Sequence, residues 1–365
     1  MEFKCSHCST RVSADTHQWR CSCGSPFVLN FSYKFPNRHE LQKRPSTIWR
    51  YREALPIENN RHVVSFQEGY SPLVPDRTSG LDLWWKLEYI APTGSVKDRG
   101  TSTLISRIKE MGIERIVGDS SGNAGASVAA YCARAGISAR IFVPQSTSAN
   151  KKRQIKIYGA ELTEVPGDRE QTAQAAHDAA ENTYYASQIW NPYFIEGAKT
   201  CAFEIVEQFS WETPDYVLAP MGVGTIILGL FQGFMELYNQ GVISHLPRIV
   251  GVQAENCCPF YDGWRSGRKR ESYTATMAEG IAHTDSPRFE EILSVIRKSQ
   301  GSVITVSEEQ IRKGMATLGR KGFFVEPTSA VVLPALSKLG HESNLSDRKI
   351  VLLLTGMGLK YSPQS

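Results

Sequence analysis

The chain has 365 residues, of which 41% are hydrophobic and 21% charged, with a formal net charge of +4 at neutral pH. That length and apolar share allow a large buried core and predict two domains rather than one. So small a net charge, without a long basic run, points to neither nucleic acid nor a membrane surface as partner. Lys151-Lys152-Arg153 is the densest basic cluster, and its place near the start of an expected helix reads as a solvated face. No stretch is long and apolar enough to span a bilayer. The polar start Met1-Glu2-Phe3-Lys4 lacks the apolar segment of a secretion signal, which predicts a cytoplasmic protein.

Four of the eight cysteines are clustered at the start, in Cys5-Ser6-His7-Cys8 and Cys21-Ser22-Cys23-Gly24. Soft ligands on two close knuckles could hold a tetrahedral zinc and fold a small ribbon over 1–33 that has too little core to fold alone. The second pair has one intervening residue where a standard knuckle has two, so His7 and His17 remain alternative ligands. Cys132, Cys201, Cys257 and Cys258 sit in apolar patterns that suit reduced core thiols. Residues 34–62 are polar and carry Pro36, Pro45 and Pro56, which predicts an extended arm with a short helix near Trp49.

Compact structure is expected to resume near Val63. In Ala91-Pro92-Thr93-Gly94-Ser95-Val96-Lys97-Asp98-Arg99-Gly100, Ser95 with Asp98 reads as a capping box opening a helix through Leu104, Ile105 and Ile108. Lys97 then falls in the first turn, where the helix dipole opposes a cation and favours a neutral amine suited to a Schiff-base nucleophile. Beyond Ile113 the pattern alternates. Strands are predicted near Ile116-Val117 and over 139–143, 162–165 and 183–186, with helices over 127–135, 151–158 and 170–180 between them. A second α/β block follows with helices over 199–209 and 226–238 and strands over 216–219, 249–253 and 349–354.

Two strand-to-helix loops carry small residues. Ser120-Ser121-Gly122-Asn123-Ala124-Gly125 can wrap an anion such as a carboxylate, and Pro220-Met221-Gly222-Val223-Gly224-Thr225 can bring backbone close to a phosphate. The last strand runs into Thr355-Gly356-Met357-Gly358-Leu359-Lys360. Taken singly, each admits a plainer reading: a solvated lysine, two ordinary turns and a strand-end threonine.

Together and in this order, the segments resemble the fold-type II pyridoxal-phosphate enzymes: threonine synthases, cysteine synthases and serine or threonine dehydratases. The resemblance covers most of the chain from about Ser65 to Lys360. It implies an α/β fold of two doubly wound open-sheet lobes, the large cofactor-binding lobe at 63–114 and 190–365 and the small lobe at 115–189. The zinc-ribbon-like extension precedes them. The resemblance also implies that Lys97 carries the cofactor, that Asn123 bonds its 3′ oxygen, and that Ser120, Ser121, Gly122 and Ala124 receive the substrate carboxylate. Gly222, Val223, Gly224 and Thr225 would cradle the cofactor phosphate and Thr355 would meet the pyridine nitrogen. A hydroxyl there makes a weaker electron sink than a carboxylate, favouring elimination over transamination or racemisation.

Val252-Gln253-Ala254-Glu255, Ala278-Glu279-Gly280-Ile281-Ala282, Val325-Glu326-Pro327-Thr328-Ser329-Ala330 and the final TGMGLK look most like threonine synthase, as does the ribbon. The implied reaction takes O-phosphohomoserine and water to threonine and phosphate, in a homodimer acting on a small amino-acid substrate. Similar cysteine-bearing extensions on threonine synthases are remote from the chemistry, so a structural role is expected for Cys5, Cys8, Cys21 and Cys23. Three positions depart from the family: Phe194 stands where an arginine grips the substrate phosphate, Ile189 replaces a hydroxyl, and Ala124 replaces a threonine. GSVKDR itself is more typical of cysteine synthases. These departures keep open β-replacement on O-phosphoserine or O-acetylserine, as in cysteine or cysteate synthases, or deamination of a hydroxy amino acid. Lys199 or Arg153 could replace the missing arginine. His283 reads as a surface or satisfied histidine, and Glu279 as a residue that could lie over the cofactor.

Overall fold

The fold is that of a computed structural model, which describes residues 1–361. The chain divides into two compact units, Met1–Gly69 with Lys97–Ala198, and Tyr70–Val96 with Lys199 onward.

The first unit holds a four-stranded parallel sheet in the order Glu161–Val165, Ser138–Pro144, Arg115–Gly118, Tyr184–Tyr185. The first strand in sequence, Arg115–Gly118, lies inside the sheet with later strands on both sides. The order therefore reverses there, and the loop leaving its carboxyl end stands at a topological switch point. Helix Lys97–Glu110 buries Leu104, Ile105 and Ile108 completely and packs on helices Asn123–Ala135 and Pro192–Ala198. Close approach is possible because Gly197 has no side chain: a Cβ would come within 2.2 Å of Arg99 O. Phe3, Ala14 and Phe27 of the amino-terminal ribbon belong to the same apolar core as this helix.

The ribbon is a three-stranded antiparallel sheet with Glu2–Cys5 between Arg11–Ser13 and Phe27–Asn30. The region expected as an extended arm is partly helical, with an α-helix at Arg38–Gln42 and a 3-10 helix at Ile48–Ala54. Its apolar residues Leu41, Ile48, Tyr51, Ala54 and Leu55 are spaced so that all are buried, which holds the segment down despite its prolines. The first unit thus extends beyond 115–189. Helices Lys97–Glu110 and Pro192–Ala198 are each other's main packing partners and bring their residues with them.

The second unit is built on a six-stranded sheet in the order Ser302–Val306, Arg248–Ala254, Tyr216–Pro220, Ile350–Leu353, Leu83–Lys86, Leu73–Pro75, parallel except for the last strand. Tyr216–Pro220 and Ile350–Leu353 are neighbours in register, Leu218 opposite Leu352. The segments that leave their carboxyl ends, Met221–Gly224 and Leu354–Gly356, therefore emerge side by side. The central strands Tyr216–Pro220, Arg248–Ala254 and Ile350–Leu353 are mostly aliphatic, as strands buried on both faces require, whereas Leu83–Lys86 buries Trp85 and Lys86.

Candidate active site

Lys97 is the first residue of its helix. Its exposed area leaves it only half-buried, yet it is densely surrounded, and that desolvation lowers its ammonium pKa to about 8. Crowding outweighs exposed area here, because the atoms packed around the ammonium displace water that would hydrate it. The Lys97 Nζ stands 5.9 Å from the centre of the Phe194 ring. That ring lies against Gly100, where a Cβ would meet it at 2.5 Å.

The predicted capping box at this helix does not form. Ser95 Oγ is buried without a hydrogen-bond partner, and Asp98 accepts from Ser127 Oγ at 2.6 Å. The physical reason is that Ser95 is held extended, as an antiparallel bridge partner of Gly356. Next to it, the Val96 N–H donates to Thr355 O at 2.9 Å. The terminal strand's exit thus fixes the residue immediately before Lys97.

The loop Ser120–Gly122 follows strand Arg115–Gly118 and Asp119, and Asn123 opens the next helix. No side chain caps that helix start. The first backbone N–H groups of a helix have no intrahelical acceptor, so this terminus suits an anion. Gly125 cannot be replaced, because a Cβ would lie 1.9 Å from Ser120 O. The loop's root is set by Tyr185, whose hydroxyl donates to Asp119 Oδ1 at 2.7 Å. Burial nonetheless raises the Asp119 carboxyl to about 6, the Tyr185 bond opposing the rise.

In the second unit, Gly224 has φ +90° and Thr225 begins helix Thr225–Asn239, again without a side-chain cap. A Cβ on Gly224 would meet Ile292 Cδ1 at 2.2 Å, and one on Gly222 would meet Gly280 O at 2.7 Å and His283 Cδ2 at 3.2 Å. The Val223 carbonyl accepts from Ser286 Oγ at 3.0 Å. Gly280 and His283, distant in sequence, therefore wall this loop, a placement that a lone-histidine reading did not anticipate. Thr355 is buried, with its Oγ1 3.2 Å from Ser329 Oγ. Ser329 is the organising residue that sequence reasoning missed, although it stands in the quoted VEPTSA segment.

The four sulfurs of Cys5, Cys8, Cys21 and Cys23 all lie within 4.8 Å of one another, and no other such cluster is found among the described residues. Cys5 and Cys23 Sγ are 3.4 Å apart, and Cys8 and Cys21 Sγ 3.6 Å. A tetrahedral zinc with roughly 2.3 Å bonds needs sulfurs about 3.8 Å apart. Cys5 Sγ accepts backbone N–H bonds from His7 and Cys8, a knuckle geometry that stabilises a thiolate. The hydroxyl of Thr10 helps lower the Cys8 thiol to about 6, whereas burial raises Cys5 to about 11. The donor set fits a structural zinc. The remaining cysteines, Cys132, Cys201, Cys257 and Cys258, are buried and not joined in disulfides.

In the first unit an amine with a lowered pKa and a helix start without a side-chain cap, and in the second a buried hydroxyl with no hydrogen-bond partner and a helix start without a side-chain cap behind a glycine loop, are each of a kind that a phosphorylated aldehyde cofactor uses. The sequence profile described as "Pyridoxal-phosphate dependent enzyme" matches residues 64–356. The chain belongs to this family, and its cofactor is pyridoxal phosphate. Within the family it is threonine synthase-like. It is 33% identical to the threonine synthase of Methanocaldococcus jannaschii, over 98% of this chain and 92% of that one. It is 31% identical to that of Methanosarcina acetivorans, over 100% and 93%. Among solved structures, maize serine racemase superposes with TM-score 0.73 at 22% identity, covering 86% of this chain and 94% of that one, which shows the fold alone. The threonine deaminase isoform 2 of Solanum lycopersicum gives TM-score 0.71 at 19% identity, over 91% and 94%, and likewise speaks only to the fold. Among the described residues no helix is long and apolar enough to cross a membrane.

Proposed function

We propose that this enzyme converts O-phosphohomoserine and water to threonine and phosphate. The observation that carries this reading is the lowered pKa of Lys97, an amine able to exchange protons near neutral pH, in a chain similar over nearly its whole length to threonine synthases. Pyridoxal phosphate, when bound, supplies the electron-withdrawing ring that stabilises negative charge at the substrate carbons. Lys97 would hold the cofactor, and its amine, when free, would remove and return protons at the substrate's α and neighbouring carbons. The N–H groups at Ser120–Ala124 receive the substrate carboxylate, and Asn123 bonds the cofactor 3′ oxygen. The loop Gly222–Thr225 receives the cofactor phosphate. Thr355 would donate a hydrogen bond to the ring nitrogen and keep its proton, which leaves that nitrogen uncharged and favours elimination. Phosphate leaves from the γ carbon, and the oxygen of water then bonds to the β carbon.

A second reading rests on Phe194. Its ring is buried where the family's arginine is expected, and Lys199, a candidate replacement, is bound to Glu236 at 2.9 Å. Arg153, the other candidate, is exposed. A charged hydrogen bond to phosphate is worth roughly 1.5–3 kcal/mol, which an aromatic ring does not supply. This favours a substrate other than O-phosphohomoserine, undergoing β-replacement or deamination. Incubation of the holoenzyme with O-phosphohomoserine decides: phosphate with threonine supports the lead. No turnover there, with a new sulfur amino acid from O-acetylserine or O-phosphoserine and sulfide, or ammonia with a keto acid from serine or threonine, sinks it for the second. We further propose a cytoplasmic homodimer.

A further inference from the structure

We infer that the four-cysteine ribbon, loaded with a zinc-type ion, is a positioning device for the cofactor end of the first unit, acting through Trp19 and Phe3. The contacts are direct. Trp19 stands two residues before Cys21, in a stretch without strand or helix whose far end the Cys8 and Cys21 sulfurs bring together at 3.6 Å. Its indole stacks on His177 at 4.5 Å and meets Trp190 and Tyr185 edge-on at 4.9 and 5.2 Å. Tyr185 in turn holds Asp119, the residue before the Ser120–Asn123 loop.

A second route leaves the ribbon two residues before Cys5. Phe3 stacks on Phe27 at 5.6 Å and packs on Tyr193 at 5.3 Å. The Tyr193 hydroxyl donates to Ala14 O at 2.6 Å, so the ribbon holds both the face and the tip of this ring. The next residue is Phe194, which lies against Gly100 and 5.9 Å from the Lys97 amine. Asn191 braces the same segment, accepting from the Tyr193 N–H at 3.0 Å and donating to Tyr184 at 2.7 Å. Both routes are made of packed aromatic rings, which transmit displacement because a close-packed interior cannot absorb it. A metal that ties Cys8 and Cys21 together fixes the loop carrying Trp19. Without it that loop has no ordered backbone ladder to hold the indole in place.

The consequence is that metal loss loosens the cofactor and substrate contacts without touching them. The test starts from holoenzyme as isolated, with its metal content measured. It compares this protein with chelator-treated protein, and with Trp19→Ala and Trp19→Phe, which keep all four cysteines. The readouts are the cofactor dissociation constant from the visible absorbance band, amide exchange at 119–124 and 191–194, and KM and kcat measured separately on whichever amino acid the enzyme turns over. Chelation and Trp19→Ala are each expected to weaken cofactor binding roughly three- to tenfold and to speed exchange in both segments. Trp19→Phe should largely restore both, and chelation of Trp19→Ala should add little, since the link is already cut. The proposal is overturned if the isolated protein neither holds nor takes up zinc. Metal-free protein, or Trp19→Ala, that keeps its cofactor affinity and exchange rates also overturns it. Should the metal-free protein unfold, Trp19→Ala alone decides. None of these outcomes depends on O-phosphohomoserine being the substrate.

Discussion

Ser329 Oγ accepts hydrogen bonds from the backbone N–H groups of Thr355 at 3.0 Å and Gly356 at 2.7 Å, and lies 3.2 Å from Thr355 Oγ1. Its own proton goes either to Thr355 Oγ1 or to Gly356 O at 3.1 Å. A hydroxyl has two lone pairs, and both are taken by N–H donors. Thr355 therefore keeps its hydroxyl proton for a further acceptor, as donation to an uncharged ring nitrogen requires. Ser329→Ala leaves two buried N–H groups without this acceptor and is expected to cost about 1–3 kcal/mol in urea unfolding. It should also weaken cofactor binding; unchanged stability and unchanged affinity would show that Ser329 does not organise Thr355.

Lys97, with its pKa near 8, carries roughly 300-fold more neutral amine at pH 7 than a lysine at 10.5. Cofactor uptake by the cofactor-free protein should therefore rise about tenfold per pH unit below 8 and level off above it, as followed by the visible band. Between about 8 and 10.5 the unfolded chain holds a proton that folded Lys97 has lost, so stability of the cofactor-free protein rises with pH across that window. Lys97→Met should show no band and should flatten that rise. A band that survives the substitution would remove Lys97 from its role.

Asp119 shows the opposite sign. Its folded pKa near 6 lies above the unfolded value, so its protonated form favours folding, and that stability is lost as pH rises from about 4 through 6. Asp119→Asn retains an acceptor for Tyr185 and is expected to be more stable than the parent above pH 6. The gain should be about 1–2 kcal/mol, the shift being discounted for the water the half-buried residue still meets. The advantage should vanish below pH 4, as thermal denaturation across pH will show.

Gly224 combines φ +90° with a Cβ position 2.2 Å from Ile292 Cδ1. Gly224→Ala is expected to destabilise by about 1–3 kcal/mol from strain and overpacking, and to raise the cofactor dissociation constant more than Gly241→Ala does. Gly241 also has positive φ, but nothing lies within 4 Å of its Cβ position. Equal effects at the two glycines would mean that backbone angle alone matters.

Phe194→Ala removes a buried ring from between the Gly100 helix and its neighbours and should cost about 3–5 kcal/mol. If the ring also shapes the site, substrate KM rises in the variant while other core truncations, such as Ile108→Ala, leave KM unchanged. Matching KM values would confine Phe194 to packing.

The strands and helices that alternate from Arg115 to Ala254, and the last strand Ile350–Leu353, were largely legible in sequence because their apolar periods and Gly, Pro and Asn punctuation are local properties, whereas helices Phe289–Lys298, Glu308–Arg320 and Val332–Glu342 and strand Ser302–Val306 were not anticipated. Lys97 at a helix start and glycine loops at strand ends were legible for the same reason. The capping box failed because Ser95 is claimed by Gly356, some 260 residues later, through a backbone pairing that no local pattern encodes. In residues 34–62 the short helix expected near Trp49 is present at Ile48–Ala54, but Arg38–Gln42 and Asn60–His62 are helical as well, and scattered apolar residues find a core that the sequence does not display.

Sequence by itself determined the family, the cofactor and the chemical types available, because lysine, small-residue loops and clustered thiolates act through their own functional groups. Only tertiary structure decided which groups are tuned and which are held. Desolvation of Lys97, the two N–H bonds that orient Ser329 toward Thr355, and the aromatic stack from Trp19 to Tyr185 all arise where distant segments pack. Burial and hydrogen-bond direction depend on every neighbour in space, and neighbours in space are not neighbours in the chain.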